Sequence, residues 1–155
     1  MEGYFSHKEL THLQGAAGKT LRTVFYYYWQ NKTNAGEAFE FIDKVEMQFT
    51  DNSKVVFATR TDDDGGMSIP DDFDAEKEKL LLLRDFGGKI DIRFSNETSS
   101  ELWKDAEGKK LLEIQLVDDG ENTYRNDAAM LDFGEHKIEI RPAVEGLVVD
   151  WFDEV

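Results

Sequence analysis

Asp62-Asp63-Asp64, with Asp71, Asp72 and Asp74 a little further on, is the densest set of oxygen donors in this chain. Carboxylates gathered this way can hold calcium. The spacing departs from an EF-hand loop: counted from Asp62, position five is Gly66 and position twelve is Phe73, where an acid or Asn and a bidentate Glu are needed. A solvated acidic loop is therefore expected. Its carboxylates can still form charge-assisted pairs with Arg and Lys of a partner. No metal site and no cofactor are expected.

Nucleophilic and acid–base chemistry has few carriers here. There are no cysteines, which removes a thiolate nucleophile, a thiolate metal site and a disulfide framework. His7 and His12 are five apart, off a common helical face, and His136 follows a turn. None stands in a metal-ligand motif such as HExxH, and no G-x-S-x-G, P-loop or G-x-G-x-x-G pattern occurs. Paired carboxylates remain the one route to catalysis, and a sequence does not show which carboxylates converge.

The aromatic run Val24-Phe25-Tyr26-Tyr27-Tyr28-Trp29 is the most unusual local feature. On a strand, alternation puts Phe25, Tyr27 and Trp29 on one face and Val24, Tyr26 and Tyr28 on the other. Both faces are then aromatic. One must be core, and the second is buried under a helix (the N-terminal one is the candidate), lines a pocket or is a contact surface. Tyrosine is enriched in binding hot spots because it buries a large area and keeps a polar handle. Tyr26 and Tyr28, with Asp62, Asp63 and Asp64, are accordingly the candidate partner-binding residues, aromatic pair for buried area and acidic loop for steering.

These residues need a frame, and the sequence predicts a β-rich one. Ser6 and Glu9 match a capping box for a helix over about residues 7–14, which Gly15 can stop. Thr20 to Gln30 reads as a strand, and Asn31 to Gly36 as a polar connection. Residues 38–50 and 53–60 flank Asp51-Asn52 as a hairpin. Val45-Glu46-Met47-Gln48, Ile90-Asp91-Ile92-Arg93, Leu112-Glu113-Ile114-Gln115 and Ile138-Glu139-Ile140-Arg141 share one pattern of apolar, acid, apolar and then Gln or Arg. The irregular spacing between them fits convergent patterning of half-buried strands better than an internal duplication.

Further hairpins are marked by Gly87-Gly88, Asp118-Asp119-Gly120 and Gly134-Glu135, and Pro142 suits a strand end. Residues 71–77 read as a turn or short helix and 79–86 as a strand. Thr98 to Lys104 offers a second capped helical turn with Leu102 and Trp103 inward. The sum is mainly β, a β-rich α+β chain of about nine or ten antiparallel strands in a meander. A curved sheet or partly closed barrel disposes of so many edges best, and two packed sheets are the competitor.

The 155 residues predict one domain, with Thr61 to Asp74 as the one candidate division. At 40% hydrophobic and 12% aromatic the chain can build a core. No apolar run approaches the roughly 20 residues of a membrane helix, nothing resembles a signal peptide, and a cytoplasmic location is the default expectation. Lys and Arg total 18 against 33 Asp and Glu, for a net charge of −15. That field repels phosphate backbones and anionic membranes, which argues against nucleic-acid and membrane partners, and it suits a basic protein partner. The leading expectation is a non-enzymatic acidic binding module, of the kind in which an immunity- or inhibitor-type protein covers a basic partner. A β-barrel holding a small apolar ligand is the alternative, and a carboxylate-dependent enzyme the third.

Overall fold

The computed structural model of the chain describes residues 3–32, 39–60 and 65–152. The strands β1 (Leu21–Asn31), β2 (Phe39–Phe49), β3 (Lys54–Thr59), β4 (Met67–Ser68) and β5 (Ile90–Asn96) form one antiparallel sheet in the order β4-β3-β2-β1-β5. The strands β6 (Glu113–Asp118), β7 (Tyr124–Asp132), β8 (Lys137–Pro142) and β9 (Leu147–Trp151) form a second sheet, a meander in chain order. The sheets stack as two layers and do not close into a barrel. The main core lies between them: Val24, Val45, Met47 and Phe57 from the first sheet meet Ala129, Leu131, Ile138 and Ile140 from the second, around the fully buried Trp103.

Helix α1 (His7–Gln14) begins where its capping box predicts. The Ser6 hydroxyl accepts the Glu9 N–H at 3.1 Å, and Glu9 Oε1 accepts the Ser6 N–H at 2.8 Å. The other Glu9 oxygen accepts the Ile69 N–H at 2.7 Å. One carboxylate thus caps the helix and ties it to the chain just after β4, while Leu13 is buried in the main core.

Residues 79–86 are not a strand. They belong to helix α2 (Ala75–Phe86), so Gly87-Gly88 joins a helix to β5 rather than two strands of a hairpin. Local chemistry decides this. The Asp74 carboxylate accepts the Lys77 N–H at 3.2 Å as N-cap, and Gly87 takes the left-handed conformation, φ 61°, with its N–H on the Leu83 carbonyl at 2.9 Å. Ala, Glu, Lys and Leu between these caps are strong helix formers, and leucine carries no β-branch to favour a strand. Residues 98–108 turn without forming a regular helix: the Ser100 carbonyl accepts the Trp103 and Lys104 amides, and Trp103 points inward as expected.

The other predicted hairpins are present. The β2–β3 turn is held by Asp51, whose Oδ1 accepts the Ser53 N–H at 2.9 Å and hydroxyl at 2.5 Å, with Lys19 Nζ at 3.2 Å from Oδ2. These donors, Ser53 first, hold the Asp51 carboxyl down to about 2. The β8–β9 turn meets β2 at Gly146. Its φ is +76°, and a Cβ there would lie 2.5 Å from the Ile42 carbonyl oxygen.

Two outcomes test this frame. Gly146→Ala must strain the left-handed backbone, at roughly 1–3 kcal/mol, and also push Ile42 away. It should lower the melting temperature more than Gly120→Ala, whose φ is +86° with open space around it. Asp51 stabilises the fold above the ordinary carboxylate range, and that contribution is lost as pH falls through about 2. The stability gap between the wild type and Asp51→Asn, followed by chemical denaturation, should close between pH 4 and pH 2.

Candidate functional site

Both faces of β1 are covered. Val24 and Tyr26 lie in the main core with Tyr28 packed against it, while Tyr27, flanked by Phe25 and Trp29, lies in a second cluster with Val56, Phe73, Leu82 and Ile92. The cover on the second face is α2, not the N-terminal helix.

Tyr26 is 7% exposed, and its hydroxyl accepts the Trp103 indole N–H at 2.6 Å. Burial pushes its hydroxyl far above the usual tyrosine range. Tyr28, 6.4 Å away between ring centroids, is half-buried under the Arg93 guanidinium, 4.1 Å from the ring centroid. Arg93 in turn grips Glu40 through two bonds of 2.7 and 3.2 Å, and Gln30 donates to the same carboxylate at 3.0 Å. The Arg93 bond, followed by that from Gln30, holds the Glu40 carboxyl below its ordinary value. So the structure brings the two tyrosines together on one face but sets Tyr26 in the core and leaves only Tyr28 at the rim. Asp62, Asp63 and Asp64 lie outside the described residues. The chain beside them is anchored by the Arg60 N–H on the Gly66 carbonyl at 3.3 Å, and by buried Asn126 donating to the Met67 carbonyl at 3.1 Å.

Polar groups converge beneath α2. Lys44 Nζ lies 2.5 Å from Asp43 and 3.1 Å from Glu78, and 4.9 Å from the Phe73 ring centroid. Lys54 Nζ is 3.5 Å from nearly buried Glu46 and donates to the Phe73 carbonyl at 3.1 Å. Gln48 Nε2 donates to Glu46 at 2.7 Å and the Tyr27 hydroxyl bonds the same side chain, so burial first and the Glu46 charge second push the Tyr27 hydroxyl up. A one-residue bulge at Asp43, between the Tyr27–Lys44 and Tyr28–Ile42 pairs, turns that carboxylate toward Lys44 and Thr59, whose hydroxyl donates to it. The cluster fastens α2 and the Phe73 segment to the sheet. It is a structural tie, with its charges paired.

Next to it lies the feature that strand-based reasoning missed. Glu76, Leu80 and Leu83, at i, i+4 and i+7, run along one stripe of α2 and overhang β5. With Lys79, Gly88, Ile90 and Asp91 they line an open groove of about 370 Å³. Leu80 is 67% exposed and Leu83 58%, and Phe94 on β5 is 65% exposed; Leu81, Phe86 and Phe39 are exposed too. Among the described residues β5 is an edge strand, bonded to β1 alone. An apolar stripe beside unpaired main-chain donors and acceptors is the geometry that accepts an added strand. The signal was present in the spacing of Glu76, Leu80 and Leu83. It becomes visible only once residues 75–86 are known to be helical.

The outward face of the second sheet is acidic. Register sets Glu113 opposite Asp132 and Glu139 opposite Asp150, like-charged pairs that a sheet does not favour. Arg141 bonds Glu139 at 2.9 Å. Among the described residues no group of three His, Cys, Asp or Glu is placed to hold a metal ion. His136 is tucked against the Leu102 carbonyl at 2.6 Å and the Trp151 ring. No helix among the described residues is long and apolar enough to cross a membrane. No family model, no curated protein and no solved structure gives a significant match to the chain.

Tyr26→Phe tests the assignment of this tyrosine to the core. It leaves the buried Trp103 N–H without an acceptor and should cost about 1–3 kcal/mol of stability by denaturant titration. An unchanged midpoint would show that water reaches the indole.

Proposed function

We propose that the chain is a protein-binding module, not an enzyme, whose docking face is the groove between α2 and β5. The observation that carries this reading is the exposure of Leu80, Leu83 and Phe94 around an unpaired strand edge. Soluble proteins rarely leave a contiguous apolar patch uncovered without a partner for it. The acidic surplus, including the like-charged pairs on the second sheet, supports a cationic partner at that second sheet, apart from the groove, and an immunity- or inhibitor-type role, because opposite potentials speed encounter and suppress wrong partners. Among the described residues the carboxylates with displaced titration, Glu40, Asp51 and Asp71, are all held below their ordinary values, the condition of ion-paired groups and the opposite of what a general acid needs. An apolar ligand inside a barrel has no barrel interior here, since the sheets form two layers.

Site-specific photocrosslinking in cells tests the face. A photoreactive phenylalanine derivative in place of Leu83 should give a discrete protein adduct, and the same residue in place of exposed Gln115 on the second sheet should give none. Adducts from both positions, or from neither, would overturn the reading. Leu80→Glu/Leu83→Glu should abolish adduct formation at a crosslinker placed at Phe94 while changing stability by only about 0.5 kcal/mol, the scale of surface substitutions.

A further inference from the structure

We propose that the occupant of the β5 edge is a second copy of this chain, joined by antiparallel β5–β5 pairing about a two-fold axis at Ile92. The proposal rests on the reading of the α2–β5 groove as a docking face and names its partner.

The phase of the ladder shows which main-chain groups of β5 face away from β1. The Lys32 N–H donates to the Lys89 carbonyl at 2.6 Å, and the Glu97 N–H to the Val24 carbonyl at 2.8 Å. With Tyr28 opposite Arg93, the odd-numbered residues of β5 turn their amides and carbonyls toward β1. Ile90, Ile92, Phe94 and Asn96 therefore turn theirs outward. The Asp91 carboxylate folds back to accept the Ile92 N–H at 2.8 Å, a plug on the middle of the edge.

The side chains of this strand are complementary to themselves. With Ile92 opposite its own copy, Ile90 falls opposite Phe94 and Asp91 opposite Arg93, twice over by symmetry. The apolar pairs lie on the α2 face, where Ile92 is buried beneath the helix and Phe94 packs edge-on against Phe25. Arg93 lies on the opposite face over Tyr28, and the Asp91 carboxylate swings to the strand edge, where it lines the groove 3.7 Å from Lys79 Nζ. A slip of two residues, the smallest that keeps outward amides facing one another, sets Asp91 against Asp91 in one direction and Arg93 against Arg93 in the other. Opposed like charges disfavour both, so the strand selects one register. In that register the Asp91 carboxylate leaves the Ile92 N–H to the partner's carbonyl, exchanges Lys79 for the partner's Arg93, and shares that guanidinium with Glu40. The stripe of Leu80 and Leu83 overhangs the same edge, so the two-fold axis brings it toward its own copy and covers it. The interface is isologous, the commonest kind in homodimers.

Charge reversal tests the register independently of the face. By sedimentation velocity the wild-type chain should self-associate to a dimer at micromolar concentration. Asp91→Arg and Arg93→Asp should each weaken self-association by about tenfold or more, because two attractive contacts become two repulsive ones. An equimolar mixture of the two variants should form a heterodimer, and Asp91→Arg/Arg93→Asp should recover the dimer. Because Arg93 also holds Glu40, the melting temperature of each variant is measured alongside, and the mixture reports the pairing even where one variant is less stable. A wild-type chain that stays monomeric at hundreds of micromolar, or a dimer indifferent to these swaps, overturns the proposal. The photoreactive residue at position 83 separates the two levels. An adduct in cells to a different protein, with a monomeric purified chain, removes the second copy and keeps the docking face. No adduct in either setting removes both.

Discussion

A strand that is aromatic on both faces has to be covered twice, and the architecture follows from that demand on β1. Phe25, Tyr27 and Trp29 on one side and Val24, Tyr26 and Tyr28 on the other bury large areas, each ring contributing on the order of 150–250 Å². The second sheet takes one face and α2 the other. Trp103 closes the first layer through its bond to Tyr26, and Phe73 closes the second edge-on against Tyr27, 4.9 Å between centroids.

Covering β1 in this way has a consequence at the sheet edge. α2 carries the chain from β4 at one edge of the sheet to β5 at the other, and among the described residues β5 then ends the sheet with one side unpaired. The chain blunts such edges in the same manner twice. On β5 the Asp91 carboxylate accepts the outward N–H of Ile92, and on β9 the Asp150 carboxylate accepts that of Trp151, both at 2.8 Å. An acid placed one residue before an outward amide satisfies a donor and puts a negative charge on the edge, a defence against indiscriminate strand addition. What distinguishes β5 is the exposed leucine stripe beside it and a strand sequence that can pair with itself.

The acidic surplus is handled unevenly. Beneath α2, Lys44 bridges Asp43 and Glu78 and Lys54 meets Glu46, so each of the three carboxylates has a cation at short range, where a low dielectric would penalise an isolated charge severely. On the outer face of the second sheet, acids are allowed to face acids across strands, where water and salt screen them. Every carboxylate beneath α2 therefore has a cationic contact, and the larger excess is left at the surface, where it shapes long-range encounter.

Much of the fold was legible in the residues because it rests on local chemistry. Ser6 and Glu9 cap α1 through atoms three residues apart, and Asp51-Asn52, Asp118-Asp119-Gly120 and Gly134-Glu135 turn hairpins whose register period-two alternation then fixes. The Leu80 to Leu83 run was not legible, since four consecutive leucines carry neither a period of two nor one of 3.6, and the caps Asp74 and Gly87 had to decide. The candidate site was less legible still. Alternation grouped Tyr26 with Tyr28 correctly, but only the docking of the second sheet buried one and left the other beneath Arg93. Whether β5 is an edge, and whether Leu80 and Leu83 are covered, depends on which strand lies next to which. That neighbour relation joins residues far apart in the chain, and it is set by the competition of both β1 faces for cover rather than by any local pattern.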